Sequence, residues 1–330
     1  MQRSSSAFVS ALAILAVTTL AACSKPAEAP APAAAAPAPA PAAEAPPPAP
    51  KEATQKSFMI GELTGIALRD GRLEFPNDNK VFGIGKTPEE VGALLSAAGQ
   101  PTDKIHLGLD PLLVQGANHV LLFDTGAGTN FGPNSGQLLN ALADAGVDPK
   151  SVTDIFISHV HGDHVGGLVN ADGALNFPNA TIHISKPEWT FLTGVKADKA
   201  KEFGVQNYDA LVAAMKPKVD AFAPNAELVK GVVKAVAIKG HTPGHSGYRI
   251  SSQGESLLYI GDAMHNYVVS VQKPDWPMAF DSDQKVGAAS RAALLSESEK
   301  NGQRIYAVHF PFPGLGKFQK QGDGYVWVAE

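Results

Sequence analysis

The chain has 330 residues, 44% hydrophobic and 18% charged, with a formal net charge of −5 and a single cysteine. The acidic balance and the lack of a basic cluster argue against a nucleic-acid partner. One cysteine excludes a disulfide framework and a thiolate-rich metal site.

Met1-Gln2-Arg3 is a short positive segment, Ala7 to Leu20 is an apolar run too short for an ordinary membrane span, and Ala21-Ala22 place small residues before Cys23. Residues 1–22 therefore read as a secretory signal, and the mature protein is expected outside the cytoplasm. Leu20-Ala21-Ala22-Cys23 resembles the lipobox of bacterial lipoproteins. That resemblance implies cleavage before Cys23, acylation of its sulfur and anchoring on the periplasmic side, at the outer membrane; an ordinary signal peptide cleaved nearby is the alternative. The membrane is then a partner through the lipid anchor alone. Residues 23–56 are mostly Ala and Pro without apolar periodicity, a semi-extended tether. Residues 57–330 are long enough for one domain with a substantial core, which also admits a homodimer.

Phe58 to Leu68 alternates loosely before Arg69-Asp70-Gly71-Arg72, so the domain is expected to open with a hairpin turning at Asp70-Gly71. Thr87-Pro88-Glu89-Glu90 starts a helix with a capping box, stopping at Gly99. His119 to Phe123 is a strand ending in Asp124-Thr125-Gly126, Ser135 to Ala145 a helix closed by Gly146, and Val152 to Ser158 a buried strand. Ala180 to Ser185 reads as a strand, and Lys186 to Leu192 and Tyr208 to Met215 as helices. Strands follow near 219–223, 232–238, 247–251 and 256–261; Ser282 to Glu299 is the longest helix and Arg304 to Val308 a last buried strand. Strands and helices alternate in both halves, so an α/β layered fold of two packed sheets with helices outside is expected. Strand-end loops would carry the chemistry.

The buried strand delivers His159-Val160-His161-Gly162-Asp163-His164. Residues two apart share a face of an extended segment, so His159 and His161 can offer imidazoles to one cation. Gly162 permits a tight bend, and Asp163 and His164 then diverge towards a second cation. Such a match is expected by chance in about one chain in two thousand of this composition. An N/O donor set without thiol is typical of zinc, with manganese, cobalt or iron as substitutes. Three further candidates sit at strand ends: His245 in Gly240-His241-Thr242-Pro243-Gly244-His245, Asp262 after Leu257 to Gly261, and His309 after Ile305 to Val308. A carboxylate at the mouth of an apolar strand is costly unless paired or bound to metal.

With these residues assembled, the sequence resembles the metallo-β-lactamase-fold superfamily, whose His-x-His-x-Asp-His signature residues 159–164 match in full. Within it the resemblance is to the methyl parathion hydrolase-like and quorum-quenching-lactonase-like group, on Asp124-Thr125-Gly126, Phe131-Gly132-Pro133, Phe177-Pro178-Asn179-Ala180, Thr242-Pro243-Gly244-His245, Gly261-Asp262, His309-Phe310-Pro311-Phe312-Pro313-Gly314 and Gly322-Asp323-Gly324-Tyr325. It spans about residues 58–328. It implies an αββα sandwich and two divalent ions: one held by His159, His161 and His245, the other by Asp163, His164 and His309, with Asp262 between them. His241 is assigned a structural role in that scheme. Asp262 favours the lactonase, glyoxalase and phosphotriesterase relatives over broad-spectrum β-lactamases.

The expected reaction is hydrolysis of a small-molecule lactone, aryl ester or phosphotriester. Two cations about 3.5–4 Å apart share one water, lower its pKa and present a hydroxide to the substrate. Asp163 is expected to orient the nucleophile or carry a proton; the resemblance implies that His265, three residues after Asp262, stands where related lactonases carry a Tyr against the substrate carbonyl and assists there, a packing histidine being the alternative. Among Phe131, Trp189, Phe191, Trp276 and Phe280, expected near the mouth, Phe131 and Phe191 are ranked as substrate contacts. A glyoxalase-type thioester hydrolase or β-lactamase is the alternative enzyme, and a non-catalytic metal-binding lipoprotein the alternative of another class. All seven expected ligand positions being intact argues against the last.

Overall fold

The structure is a computed structural model that describes residues 52–116 and 118–330, so the expected signal segment, Cys23 and most of the expected tether lie outside the described residues. Strands β1 (Gln55–Ile60) and β2 (Leu63–Leu68) form the opening hairpin. It turns at Gly61-Glu62, where Gly61 has φ +56°, and not at Asp70-Gly71 as the sequence led us to expect. Asp70 is buried instead. Its carboxylate accepts the backbone N–H of Ala127, Gly136 and Leu138 at 2.9, 3.1 and 2.8 Å, pinning the chain beneath a later loop. Strand β3 (Gly71–Pro76) thus departs to pair with β4 (Lys104–Leu109) in a separate two-stranded sheet. Between them runs α1 (Pro88–Ala97), opened by the expected capping box of Thr87 and Glu90.

The first large sheet is completed by β5 (Leu112–Gly116), β6 (His119–Phe123), β7 (Asp154–Phe156), β8 (Thr181–Ser185) and β9 (Val219–Phe222), in the order β1-β2-β5-β6-β7-β8-β9. From β6 to β9 the strands are parallel. Their crossovers carry α2 (Leu138–Asp144), α3 (Gly162–Val165), α4 (Lys186–Gly194), α5 (Ala197–Glu202) and α6 (Tyr208–Met215). The second sheet runs in chain order through β10 (Glu227–Val229), β11 (Val233–Ala237), β12 (Ser246–Ser252), β13 (Glu255–Tyr259), β14 (Arg304–Tyr306), β15 (Leu315–Gln321) and β16 (Gly324–Ala329). Between the parallel pair β13 and β14 lie α7 (Val269–Gln272) and α8 (Gln284–Lys300).

The strand period of two sorts the apolar side chains into layers. Leu112, Val114, Leu121 and Phe123 face inward, against Tyr248, Ile250, Tyr259 and Tyr306 of the other sheet. Leu113 and Leu122, one residue out of phase, face outward and are covered by Leu138, Leu142 and other helical side chains. On the far side Leu258, Ile260 and Ile305 are covered by Leu294 and Leu295 of α8. The result is the expected αββα sandwich. The C-terminal hairpin β15–β16 escaped sequence reading because it is half-solvated: Lys317, Gln319, Lys320 and Gln321 are exposed.

Asp124, Asp262 and His309 follow the C-terminal ends of β6, β13 and β14, and the segment 159–164 follows β7, so one edge of the sandwich collects them all. Phe123, fully buried and stacked on Phe156 at 4.9 Å between ring centroids, locks that edge. Phe123→Ala is expected to cost about 3–5 kcal/mol, read as a lower denaturant midpoint at unchanged slope.

Candidate metal centre

Beyond β7, Ser158 turns the chain by giving its backbone N–H and its hydroxyl to the two oxygens of Asp124 at 2.7 and 2.6 Å. Asp124 sits in the left-handed region, φ +58°, which a short polar side chain tolerates. It also accepts the Tyr259 hydroxyl at 2.7 Å and contacts Nδ1 of His164 at 2.7 Å, so it directs Nε2 of His164 into the site. His161 precedes the first turn of α3. Gly162 serves there through close approach rather than through a special bend, because a Cβ would lie 2.1 Å from the carbonyl oxygen of Gly204.

Two groups of donors face each other. In the first, Nε2 of His241 lies 3.1 Å from Nε2 of His159 and 3.0 Å from Nδ1 of His161. In the second, Asp163 Oδ2 lies 3.7 Å from Nε2 of both His164 and His309. Asp262 stands between them. Its Oδ1 is 3.0 Å from Nε2 of His164 and of His309, and its Oδ2 is 3.5 and 3.4 Å from His159 and His241.

This geometry corrects the expectation for the Thr-Pro-Gly-His loop: His241, not His245, joins His159 and His161. His245 immediately precedes β12, and backbone groups occupy both its ring nitrogens, Nδ1 the Ile238 carbonyl at 2.9 Å and Nε2 the Asp262 N–H at 2.9 Å. No lone pair is left for an ion. Its work is to hold Asp262. His241, farther out on the loop, turns Nδ1 to Asp281 at 3.3 Å and Nε2 to the site.

Burial, reinforced by neighbouring imidazoles, holds His159 and His161 well below the usual histidine range, and burial brings His241 down to about 4. At neutral pH these rings are uncharged, with one nitrogen of each turned to the others at 3.0–3.1 Å from His241. Burial also works against charge on His164 and His309, but Asp262 and Asp163 outweigh it and raise both. Asp262, although buried, is held well below the carboxylate range by His164, His309, His159 and His265. His164 Nε2, His309 Nε2 and Asp262 Oδ1 are buried without a hydrogen-bond partner. Converging lone pairs and orphaned polar atoms are the environment a divalent cation satisfies, and thiol-free N/O donors suit zinc.

Two supporting residues escaped sequence reading. Asp281 takes His241 on one oxygen and the Arg291 guanidinium on the other, at 2.7 Å. Asp281 lies just before the helix read over Ser282 to Glu299 and carried no signal of its own. Arg291 could have been noticed, since it shares a face of α8 with the buried Gly287, Leu294, Leu295 and Ser298.

A cavity of about 340 Å³ opens over the donors, lined by Leu73, Phe75, Leu107, Phe131, Phe191, Phe203 and Phe280, with His265 and Asp163 towards its floor. Phe131 and Phe191 are therefore where they were expected, as is Phe280. Trp189 packs instead against the helix-covered core and Trp276 against the α1 region. Phe203, unpredicted, lies 5.9 Å from the ring of His161.

The layered fold and this donor set define a metal-dependent hydrolase centre. The model of the Metallo-beta-lactamase superfamily matches residues 111–299, and the chain belongs to that family. Among solved structures it is similar to AidC, described as a dizinc quorum-quenching lactonase in complex with a product, N-hexanoyl-L-homoserine, at 29% identity and TM-score 0.78 over 84% of this chain and 99% of that one. It is also similar to the hydrolase AbOPH of the beta lactamase superfamily, at 28% identity and TM-score 0.76 over 85% and 99%. Ribonuclease Z of Lactobacillus gasseri is 39% identical over 80 residues, which are 24% of this chain and 23% of that protein. The chain thus matches about a quarter of that curated relative's length.

His241→Ala is expected to lower by one the number of divalent ions bound per chain, measured by elemental analysis after gel filtration; an unchanged number would return His241 to a structural role. Asp281 supplies a second test. Burial opposes its charge, but His241 and Arg291 outweigh burial and bring its carboxyl from 3.8 down to about 2. A depressed carboxylate stabilises the fold above its unfolded pKa and loses that contribution as pH falls to its folded value. The stability gap between wild type and Asp281→Asn should therefore close between about pH 4 and pH 2, followed by thermal melts of the metal-free proteins.

Proposed function

We propose that this protein is a dinuclear metal-dependent hydrolase of neutral, apolar esters, with lactones as its principal substrates and aryl esters and phosphotriesters as further ones. The observation that carries this reading is the aromatic and aliphatic wall of the cavity that Asp262, Asp163 and His309 also line. Such a wall accepts an uncharged acyl chain and excludes water. The likeness to a dizinc lactonase supports the same substrate class.

His159, His161 and His241 would hold one ion, Asp163, His164 and His309 the other, and Asp262 would offer one oxygen to each. Bound divalent ions supply Lewis acidity, lowering the pKa of water towards neutrality and polarising the scissile acyl oxygen. Asp163, at the cavity floor, would orient the attacking water or carry its proton to the leaving alkoxide while it ligates. His265 lines the same floor, with Nε2 3.0 Å from Asp262 Oδ2 and neither ring nitrogen hydrogen-bonded, so it can contact the acyl oxygen as charge develops there. Phe131, Phe191 and Phe203 would hold the acyl chain. In the cell we place the enzyme on the periplasmic side, anchored through Cys23 and the Ala/Pro-rich segment, a reading supported by the apolar run before Cys23.

A panel of chromogenic lactones, aryl esters, thioesters, phosphotriesters and cephalosporins should show the highest kcat/KM on lactones, abolished by chelation and restored by zinc, manganese or cobalt. Chelation without effect, or preference for a thioester or cephalosporin, would sink the assignment. His265→Ala should lower kcat on lactones by about 100-fold, and unchanged turnover of every accepted substrate removes His265 from the reaction.

A further inference from the structure

Glu188, the third residue of α4, is fully buried, and neither contributes to the donor groups nor lines the cavity. Its Oε1 accepts the backbone N–H of Val160 at 3.0 Å. Its Oε2 accepts the Thr242 hydroxyl at 2.9 Å and the Gly244 N–H at 2.8 Å. Among the described residues it has no cationic partner. Burial pushes its carboxyl up to about 7 against these hydrogen bonds. Burying a carboxylate without a counter-charge costs free energy, so its partners indicate what it does.

Those partners belong to two segments. Val160 lies between His159 and His161, and Thr242 follows His241. One rigid carboxylate therefore spans the loops that bring together the three imidazoles of the first group. The surroundings reinforce the clamp: Ser185, the cap of α4, donates its hydroxyl to the Gly244 carbonyl at 2.6 Å. A Cβ on Gly244 would meet the Glu188 nitrogen at 2.2 Å, so the loop is pressed against the helix start.

We propose that Glu188 is a positioning residue that holds the His159–His161 segment and the His241 loop at the spacing where their imidazoles converge, and thereby sets ion affinity in the first pocket. The proposal rests on the metal reading of the site and not on the choice of substrate. Glu188→Gln keeps the shape but can accept at only one end. With its oxygen kept towards Thr242 and Gly244, it would turn an NH₂ against the Val160 N–H and push the two segments apart. Loss of such an outer partner typically lowers metal affinity by about 10- to 100-fold.

The experiment is zinc titration of the full chain against a competing chelator, with the visible spectrum of the cobalt-loaded protein as a second readout. Wild type should bind two ions, and Glu188→Gln should lose affinity in one pocket only, with an altered cobalt spectrum. Thr242→Val, which removes one donor and keeps the carboxylate, should weaken the same pocket less. Wild-type affinities and spectrum in Glu188→Gln, or equal weakening of both pockets, would overturn the proposal. Should Glu188→Gln show no cooperative melt, Thr242→Val decides, and unchanged affinity there overturns it. A wild type binding fewer than two ions would overturn the two-ion reading itself, and the role of Glu188 with it.

Discussion

The centre depends on one buried anion. Asp262 lies at the close of β13 with its two oxygens turned to opposite sets of imidazoles, 3.0 Å from His164 and His309 and 3.4–3.5 Å from His241 and His159. A lone carboxylate at that depth would be strongly destabilising. It persists because both sides offer it positive charge or the means to bind some. The two sheets must both be in register for this to hold. His159, His161, Asp163 and His164 arrive from the first, while His241, Asp262 and His309 arrive from the second. The aromatic layer of Phe123, Phe156, Tyr248 and Tyr259 is what keeps those edges aligned.

Around the donors runs a second set of contacts that fixes which nitrogen of His164, His241 and His309 faces inward. Asp124 faces Nδ1 of His164, Asp281 that of His241, and the Gly108 carbonyl that of His309 at 2.7 Å. An imidazole tied at one nitrogen cannot rotate away and has its tautomer decided in advance. The centre is therefore preorganised by carboxylates and carbonyls outside it, some from distant parts of the chain, as with the Gly108 carbonyl, 201 positions from His309.

How legible was this in the sequence? The strand-to-loop segment 159–164 could be read from spacing, because a period of two puts His159 and His161 on one side, although Gly162 is needed there for its close approach to Gly204 and not for a bend. The apolar run His119 to Phe123 was equally readable as a strand, whereas β5 at Leu112–Gly116 was not read: Leu112, Leu113 and Val114 are all buried, so the run shows no alternation to mark its two faces. The choice between His241 and His245 was not legible. Both sit in one Gly- and Pro-rich loop, and what separates them is tertiary: the Ile238 carbonyl and the Asp262 N–H, which exhaust His245. The Asp70-Gly71 pair misled for a related reason, since Asp-Gly favours a turn locally while three backbone amides from residues 127–138 outcompete it. Phe203 was missed because its loop acquires meaning only where its carbonyl takes the Gly162 N–H at 2.9 Å.

The order in which the donors are strung along the chain bears on how the centre comes into being. His159 and His309 are 309 − 159 = 150 positions apart, and the carboxylate they share contact with lies between them. The four early donors come from loops of the first sheet and their counterparts from loops of the second, so neither group is complete on one sheet alone, and the full set exists only where β14 lies beside β13 and the two sheets are packed face to face.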